Sequence, residues 1–296
     1  MFRTALFAIC SAVFLAGPLG AQNRAARAPA KFFFMHLSDP QLGMFDDNKS
    51  IDRDVANLRG AVAHVNRLKP AFVVFTGDLV NKPGDPKQLH AYLKGIRAID
   101  PSIPVHSVAG NHDVENAPTA ESLRWFREKI GPDREVFTRD NVWFLALNSS
   151  LFFKSDHCAG EADEQMAWLE RTLGRAKTEK ARQIVLFQHH PWFVGKPDEP
   201  ADYHNIPEPR RSRCLKLLAD TGVRATFAGH LHRNAETRAG AMEIVASGPV
   251  GKPIGNDPSG IRVVWVFEDR IEHAYYALDL VPERIALTGP VRRARI

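Results

Sequence analysis

Residues 71–78 read Ala-Phe-Val-Val-Phe-Thr-Gly-Asp, an apolar run that ends abruptly in a polar pair. A short apolar run bounded by turn residues is typical of a buried strand. Apolar residues at helical spacing precede it from Ile51 to Leu68, and a second such stretch follows from Pro86 to Ile99. With the apolar runs Lys31 to Leu37 and Pro104 to Val108, the order is strand, helix, strand, helix, strand. This order is typical of the parallel βαβ units of an α/β fold.

The second half of the chain repeats the alternation less regularly. Its spacing predicts the following strands and helices: strands at Val142 to Leu147, Gln183 to Phe187 and Val223 to Ala228, and helices at Asp163 to Leu173 and Pro209 to Ala219. Three later apolar runs have no helices between them and predict an antiparallel set: Ala241 to Ala246, Ile261 to Phe267 and Ile271 to Ala277. The composition, 44% hydrophobic and 25% charged, is that of a globular protein.

The N-terminal residues have the composition of a targeting peptide. Arg3 precedes an apolar run over residues 5–17, and Gly20-Ala21 is a small-residue cleavage site. We expect a signal peptide at 1–21 and export to the periplasm or the medium. The run has 13 residues, fewer than the roughly 20 of a membrane span, so no span is expected after signal removal. An uncleaved membrane anchor is the alternative.

The rest of the chain is expected to form a single domain at 32–291, between a flexible basic segment at 22–31 and a basic tail at 292–296. The formal net charge of +5 becomes −2 once the seven basic residues of the two ends are set aside. Nucleic acid is therefore not expected as a surface ligand. Cys158 and Cys214 are too few for a disulfide framework, and whether they pair stays open, as does the oligomeric state.

Polar clusters follow five of the predicted strands. They are Asp39, Asp78, Asn111-His112-Asp113, His189-His190 and His230-Leu231-His232. Because ligands gather beyond the carboxyl ends of strands in open α/β sheets, we expect these clusters to meet in one crevice. Carboxylate, amide and imidazole donors suit manganese, iron or zinc. On an extended segment the two histidines of the last cluster lie roughly 6–7 Å apart on the same side, a separation that suits two neighbouring ions.

These clusters, with the glycines that precede them, resemble the signature of the calcineurin-like metallophosphoesterases. Longer stretches are similar to the calcineurin-like phosphoesterase domain-containing protein 1 type within that family, which is related to purple acid phosphatases: 38–43, 187–193, 203–207 and 257–264. The resemblance runs from about Phe32 to Asp279. It implies a four-layer α/β/β/α sandwich of two mixed β-sheets flanked by helices, two divalent or trivalent metal ions, and phosphatase activity, with phosphoserine or phosphothreonine proteins as suggested substrates.

The resemblance also implies the metal ligands. The bridging ligand is Asp78, the ligands of the first ion are Asp39 and His232, and those of the second ion are Asn111, His189 and His230. Most of the superfamily has histidine at position 41, where this chain has Gln41. The Gln41 oxygen either coordinates the first ion or lies outside the ligand set. His190 is an alternative ligand, but the pattern of purple acid phosphatases favours its neighbour His189.

The same resemblance makes His112 the proton donor to the leaving oxygen, with Asp113 orienting it. The alternative is that His112 only bonds backbone in its turn. A water molecule shared by two ions loses a proton near neutral pH, and the resulting hydroxide is the expected nucleophile for in-line attack on phosphorus.

Substrate contacts are expected from residues near these clusters. Arg233 follows the last cluster, and Trp192, Tyr203 and His204 lie on a long loop before Pro209. A solvated arginine and local packing of the aromatic residues are the alternatives.

Together these features predict an exported, metal-dependent phosphatase whose partner is a phosphomonoester substrate. One alternative is a phosphodiesterase acting on nucleotides or phospholipid head groups, because such a centre hydrolyses either class of ester. The other is a metal-binding interaction module whose catalysis is weakened by Gln41. The presence of His112 and Asp113 argues against the module.

Overall fold

The computed structural model describes residues 28–290. The signal peptide expected at 1–21 and the tail expected at 292–296 lie outside these residues, as does most of the basic segment expected at 22–31. Within residues 28–290, no helix combines the length and the apolar character needed to cross a membrane.

The first sheet contains five strands: β1 (Phe32–Leu37), β2 (Val73–Thr76), β3 (Val105–Val108), β10 (Gly260–Val266) and β11 (Ile271–Ala277). Their order across the sheet is β11-β10-β1-β2-β3. The strands β1, β2 and β3 are parallel, whereas β10 and β11 are antiparallel to their neighbours. Helices α1 (Asp52–Leu68) and α2 (Pro86–Arg97) join the parallel strands, as the sequence predicts.

The second sheet contains six strands: β4 (Glu135–Arg139), β5 (Val142–Ala146), β6 (Gln183–Phe187), β7 (Ala225–Ala228), β8 (Ala235–Ala239) and β9 (Met242–Ala246). Their order is β4-β5-β6-β7-β9-β8, with parallel inner pairs and an antiparallel strand at each edge. The remaining helices are α3 (Asn111–Val114), α4 (Ala120–Lys129), α5 (Ser150–Phe153), α6 (Ala159–Thr178) and α7 (Arg210–Thr221).

The predicted antiparallel set is wrong in one of its three members. Strand β9 pairs in parallel with β7 in the second sheet, while β10 and β11 form a hairpin in the first sheet. The sequence signal misses β8, whose residues Ala-Glu-Thr-Arg-Ala contain no apolar run because β8 is an exposed edge strand. Without β8, nothing in the sequence indicates that β9 turns back beside β7.

The two sheets pack face to face across an aromatic core. The ring of Phe34 lies between the sheets, with its centroid 4.7 to 6.0 Å from four other rings: Phe72, Phe144, Phe187 and Phe227. Helices α1, α2 and α4 cover the outer face of the first sheet, and α6 and α7 cover that of the second. This arrangement confirms the predicted four-layer α/β/β/α sandwich of two mixed sheets flanked by helices.

The packing brings the strand ends of the two sheets together. The Nδ1 atom of His189, just after β6, lies 2.8 Å from the carbonyl oxygen of Thr76, the last residue of β2. Strands β1, β3 and β7 end in the other polar clusters of the sequence. The fold therefore places the loops of both sheets around one site.

We predict that Phe34→Ala lowers the free energy of unfolding by about 3–5 kcal/mol, because the ring is fully buried between the sheets and its loss leaves a cavity. Urea denaturation followed by circular dichroism measures the change. The control is Leu280→Ala, at a side chain that is 69% exposed, which should change the same quantity by less than about 0.5 kcal/mol. Equal losses at the two positions would contradict the assignment of Phe34 to the core between the sheets.

Candidate metal centre

Six of the predicted ligands meet at the edge where strands of both sheets end. All six are buried, and each follows the end of a strand. They are Asp39 after β1, Asp78 after β2, Asn111 after β3, His189 after β6, and His230 and His232 after β7. The structure thus brings together residues that are as much as 193 positions apart in the chain.

The donor atoms fall into two groups that share one carboxylate. The first group is Asp39, Asp78 and His232, and the second is Asp78, His189 and His230. Within each group, one donor atom from each residue lies within 4.8 Å of the others. A carboxylate shared by two donor groups is the arrangement that a pair of neighbouring ions requires.

Backbone carbonyls fix the orientation of the three imidazoles. The three contacts are His189 Nδ1 to the Thr76 oxygen at 2.8 Å, His230 Nε2 to the Tyr203 oxygen at 2.7 Å, and His232 Nδ1 to the Lys252 oxygen at 2.6 Å. Because a carbonyl oxygen only accepts, each of these nitrogens carries the hydrogen. The other nitrogen of each ring therefore keeps its lone pair free for a metal ion.

The free lone pairs point toward one another. His189 Nε2 lies 3.1 Å from His230 Nδ1, 3.3 Å from Asp78 Oδ2 and 2.9 Å from Asn111 Oδ1. Lone pairs at these distances repel unless positive charge lies among them. Burial alone would lower the pKa of His189, but the carboxylates of Asp78 and Asp39 outweigh burial and raise that pKa to about 9. The residues present therefore fit a cation.

Backbone strain accompanies the convergence of the ligands. The φ angle is positive at four of them: 45° at Asp39, 49° at Asp78, 71° at His230 and 51° at His232. Such conformations cost on the order of 1–3 kcal/mol each in residues other than glycine. Contacts between loops oppose this cost, because the Asp39 carboxylate accepts from the His230 backbone N–H at 3.1 Å.

Two glycines leave the space that the carboxylates occupy. A Cβ atom at Gly229 would overlap the Ser38 hydroxyl and lie 2.5 Å from Asp39 Oδ2. A Cβ atom at Gly110 would overlap the backbone and side chain of Asp78. These two glycines of the sequence signature are thus required by close approach rather than by flexibility.

His112 lies beside the shared carboxylate and is only partly buried. Its backbone N–H donates to Asp78 Oδ1 at 2.9 Å, and its ring Nδ1 lies 2.6 Å from the carbonyl oxygen of Asn81. The residue also lines an open cleft of about 320 Å³. The imidazole is thus held by one nitrogen next to space that a substrate can enter.

The expectation that Asp113 orients the His112 ring needs correction. The Asp113 carboxylate accepts three backbone N–H groups, from Leu79 at 2.9 Å, Val80 at 3.2 Å and Gly110 at 2.9 Å. The partner of the His112 ring is the Asn81 carbonyl instead. Asp113 ties the loop after β2 to the start of α3, and it acts on the site through the backbone.

Among the predicted substrate contacts, Trp192 is wrong. Its side chain is fully buried in the apolar cluster beneath α6 and α7, with its ring centroid 6.3 Å from that of Phe152. Local packing, the alternative that the sequence left open, explains this residue. A buried indole cannot contact substrate without unfolding its surroundings.

The other three predicted substrate contacts lie at the surface. Tyr203 is 47% exposed, its ring centroid lies 4.7 Å from that of His230, and its hydroxyl accepts from Asn111 Nδ2 at 3.0 Å. His204 and Arg233 are exposed. Contacts between these residues and a substrate stay predictions.

Gln41 and His190 are both buried near the ligands. The Gln41 backbone N–H donates to the Asp78 carbonyl at 2.8 Å, and its Oε1 atom has no hydrogen-bond partner within the part of the chain described. His190 Nδ1 lies 3.0 Å from the Ser149 hydroxyl, and its ring stacks on Phe153. His190 belongs to neither donor group.

Sequence reasoning missed the groups that orient the ligands. They are the carbonyls of Thr76, Tyr203 and Lys252 and the carbonyl of Asn81 at His112. A carbonyl leaves no mark on side-chain identity, so no motif could have found it. Cys158 and Cys214 are free and lie in different apolar clusters, so no disulfide joins them.

Comparison with known proteins places this geometry in a family. Residues 33–234 match the model of the calcineurin-like phosphoesterases. The chain is 37% identical over 268 residues to the serine/threonine-protein phosphatase CPPED1 of Danio rerio, covering 86% of this chain and 87% of that protein. It is 31% identical to a probable cyclic nucleotide phosphodiesterase of Rhodococcus erythropolis, covering 86% and 87%.

A solved structure agrees in fold. A dimetal phosphatase from Danio rerio superposes with a TM-score of 0.60 at 17% identity, covering 85% of this chain and 97% of that one. The fold and the two donor groups define a metal-dependent phosphoesterase, a hydrolase. The chain belongs to the calcineurin-like phosphoesterase family.

We predict that Gly229→Ala reduces the bound metal severalfold, because the added methyl group must displace the Asp39 carboxylate. Metal analysis of the purified variant by mass spectrometry measures the loss. The control is Gly60→Ala in α1, where an added Cβ meets no atom within 4 Å and the helix should gain up to about 1 kcal/mol. Normal metal content in the Gly229 variant would contradict the placement of Asp39 among the ligands.

Proposed function

We propose that this chain is an exported phosphatase that hydrolyses phosphomonoesters, with phosphoserine and phosphothreonine side chains as the substrate class. One observation carries the proposal: His112 lies between the shared carboxylate and an open cleft, where a leaving group can reach its ring. The naming of the Danio rerio relative as a serine/threonine-protein phosphatase supports the substrate class.

In this proposal each donor group holds one ion. Asp39 and His232 would hold the first ion, Asn111, His189 and His230 would hold the second, and Asp78 belongs to both donor groups. When bound, the two ions activate a water molecule for attack on phosphorus and neutralise the charge that develops on the phosphoryl oxygens. Manganese, iron and zinc all suit this mixture of carboxylate, amide and imidazole ligands.

The protein residues position and protonate the reacting groups. The Asn81 carbonyl accepts a hydrogen bond from His112 Nδ1, so that Nε2 is the nitrogen that faces the leaving group. As the ester P–O bond breaks, imidazolium Nε2 gives its proton to the departing alkoxide oxygen, and the alcohol leaves neutral. The Asp78 contact with the His112 backbone keeps this ring beside the reacting phosphorus.

A phosphodiesterase is the second candidate, because a relative with 31% identity is named a probable cyclic nucleotide phosphodiesterase. The donor groups serve either ester class. The cleft beside His112 is lined by asparagine side chains, Lys82 and Glu115, which suit a polar, charged substrate such as the phosphomonoester of a protein.

Export is proposed from the N-terminal sequence: Arg3, the apolar run over residues 5–17 and the Gly20-Ala21 site. The two cysteines are compatible with an oxidising compartment. Burial raises the pKa of the Cys214 thiol to about 12, so that it stays protonated and unreactive. Both thiols lie inside the protein.

We predict that His112→Asn lowers kcat about 10²- to 10⁴-fold, because the leaving oxygen loses its proton donor. Steady-state kinetics with phosphoserine, whose alkoxide leaving group requires a proton, measure the effect. Metal analysis should show the wild-type metal content. The control is His90→Asn, at an exposed histidine of α2. If the His112 variant lost metal instead, the residue would have to be reassigned as a ligand.

Chelation followed by re-addition of manganese, iron or zinc separates the candidate functions. We predict that activity is abolished by chelation, restored by metal, and higher toward p-nitrophenyl phosphate than toward its bis-ester. A preference for the bis-ester would support the phosphodiesterase. Absence of hydrolysis with every metal would point to a binding module.

Export predicts that the mature protein begins at Gln22. Expression of the full chain in a Gram-negative host, followed by fractionation and N-terminal sequencing, tests this start. A protein retained in the membrane with residues 1–21 intact would show that the N-terminus is an uncleaved anchor.

A further inference from the structure

Four amide side chains form a continuous hydrogen-bonded chain beside the first donor group. They are Gln88, Asn48, Asn81 and Gln41, in the order in which they contact one another, and we refer to them as the amide chain. Gln88 and Gln41, at its two ends, are both 2% exposed. The chain packs closely over Gly43, where an added Cβ would lie 2.5 Å from Gln88 Nε2 and 2.9 Å from Asn48 Oδ1.

The backbone fixes the orientation of the amide at the start of the chain. The Gln88 side chain faces two backbone N–H groups, those of Asn81 at 2.9 Å and Lys82 at 2.8 Å. A backbone N–H only donates, so the atom facing these groups has to be the oxygen, Oε1. The Gln88 amide therefore presents Nε2 to its next neighbour, with no freedom to turn over.

This orientation passes along the chain one amide at a time. Gln88 Nε2 donates to Asn48 Oδ1 at 2.8 Å, and the same oxygen accepts from Asn81 Nδ2 at 2.8 Å. With its nitrogen committed to Asn48, Asn81 presents Oδ1 to Gln41, whose Nε2 donates to it at 3.0 Å. Each amide has one orientation that satisfies both of its neighbours.

At the end of the chain, Gln41 is left with a buried oxygen that has no partner among the described residues. A buried acceptor without a partner destabilises the protein unless a ligand satisfies it. Gln41 follows Asp39 by two positions, and its backbone N–H donates to the Asp78 carbonyl. Gln41 therefore lies on the loop that carries Asp39 and is tied through its backbone to Asp78, the two acidic residues of the first donor group.

We propose that the amide chain is a positioning device: it turns the Gln41 oxygen, rather than its NH₂ group, toward the first ion. Only the oxygen of an amide coordinates a cation. A free glutamine can turn either its oxygen or its NH₂ group toward an ion. The amide chain fixes Gln41 with its oxygen facing the ion, so that the residue is already oriented as a ligand. The inference rests on the two-ion site proposed above. Gln88, Asn48 and Asn81 act through Gln41 and do not contact the ion themselves.

The sharpest test reverses the direction of the hydrogen bonds in the amide chain by changing Gln88, the end away from the ion. In Gln88→Glu, one carboxylate oxygen still accepts the two backbone N–H groups, but the other cannot donate to Asn48. Asn48 then has to present Nδ2, Asn81 has to turn over in response, and Gln41 presents its NH₂ group to the ion. Although the added negative charge should by itself strengthen cation binding, we expect affinity for the first ion to fall about tenfold, as it does for other residues that orient ligands.

Titration calorimetry of metal-free protein with manganese chloride measures the affinity of each site without any assay of activity. The second ion should bind as in the wild type. Unchanged or tighter binding of the first ion in Gln88→Glu would overturn the proposal. Asn116→Ala, which removes an exposed amide from the same cleft, is the control and should leave both affinities unchanged.

A double-mutant cycle tests the link between Asn81 and Gln41, at the end of the amide chain next to the ion. It does not depend on whether the protein tolerates a charge at position 88. Asn81→Ala and Gln41→Ala should each weaken the first site by a similar factor, and the double variant should be no weaker than Gln41→Ala alone. Additive losses would show that Asn81 does not act through Gln41 and would overturn the proposal. If the wild type bound fewer than two ions, the two-ion site and this inference would both fail, whereas two ions with an additive cycle would overturn the inference alone.

Discussion

Two carboxylates buried beside each other are the constraint on which the rest of the structure depends. Burial raises the pKa of Asp39, and the nearby Asp78 carboxylate raises it further. Buried charge is tolerated only when it is paired and hydrogen-bonded. The protein meets that requirement with backbone N–H groups from neighbouring loops and with three imidazoles. The loops of both sheets are consequently organised around negative charge that none of them could bury alone.

This constraint explains why the site is rigid despite consisting of loops. The ligands hold strained backbone angles, each imidazole is fixed by a carbonyl, and Asp113 ties two loops together through backbone hydrogen bonds. Rigidity has a chemical purpose, since a ligand set positioned before the metal arrives spends none of its binding energy on reorganisation. The aromatic core between the sheets supports the same end, because it fixes the relative positions of the strand ends.

The alternation of strands and helices predicted the parallel βαβ units and the convergence of the polar clusters at the strand ends, whereas the four layers followed from the family resemblance. The sequence could not predict β8, whose polar residues carry no strand pattern, and so β9 was misassigned. Trp192 was wrongly predicted to contact substrate, because its position on a loop does not show whether its side chain points inward or outward. Asp113 was also assigned to the His112 ring, because adjacency in sequence says nothing about which of two neighbours a carboxylate faces. The backbone carbonyls that orient the histidines could not be predicted, because every residue has a carbonyl and sequence patterns distinguish only side chains.

The account centres on a pair of ions that share Asp78. Anomalous diffraction from crystals of the metal-loaded protein, recorded on either side of the absorption edge of the added metal, locates those ions directly. We predict two anomalous peaks, one between Asp39 and His232 and the other among Asn111, His189 and His230, with the Asp78 carboxylate contacting both. A single peak, or peaks away from Asp78, would contradict the two-ion centre.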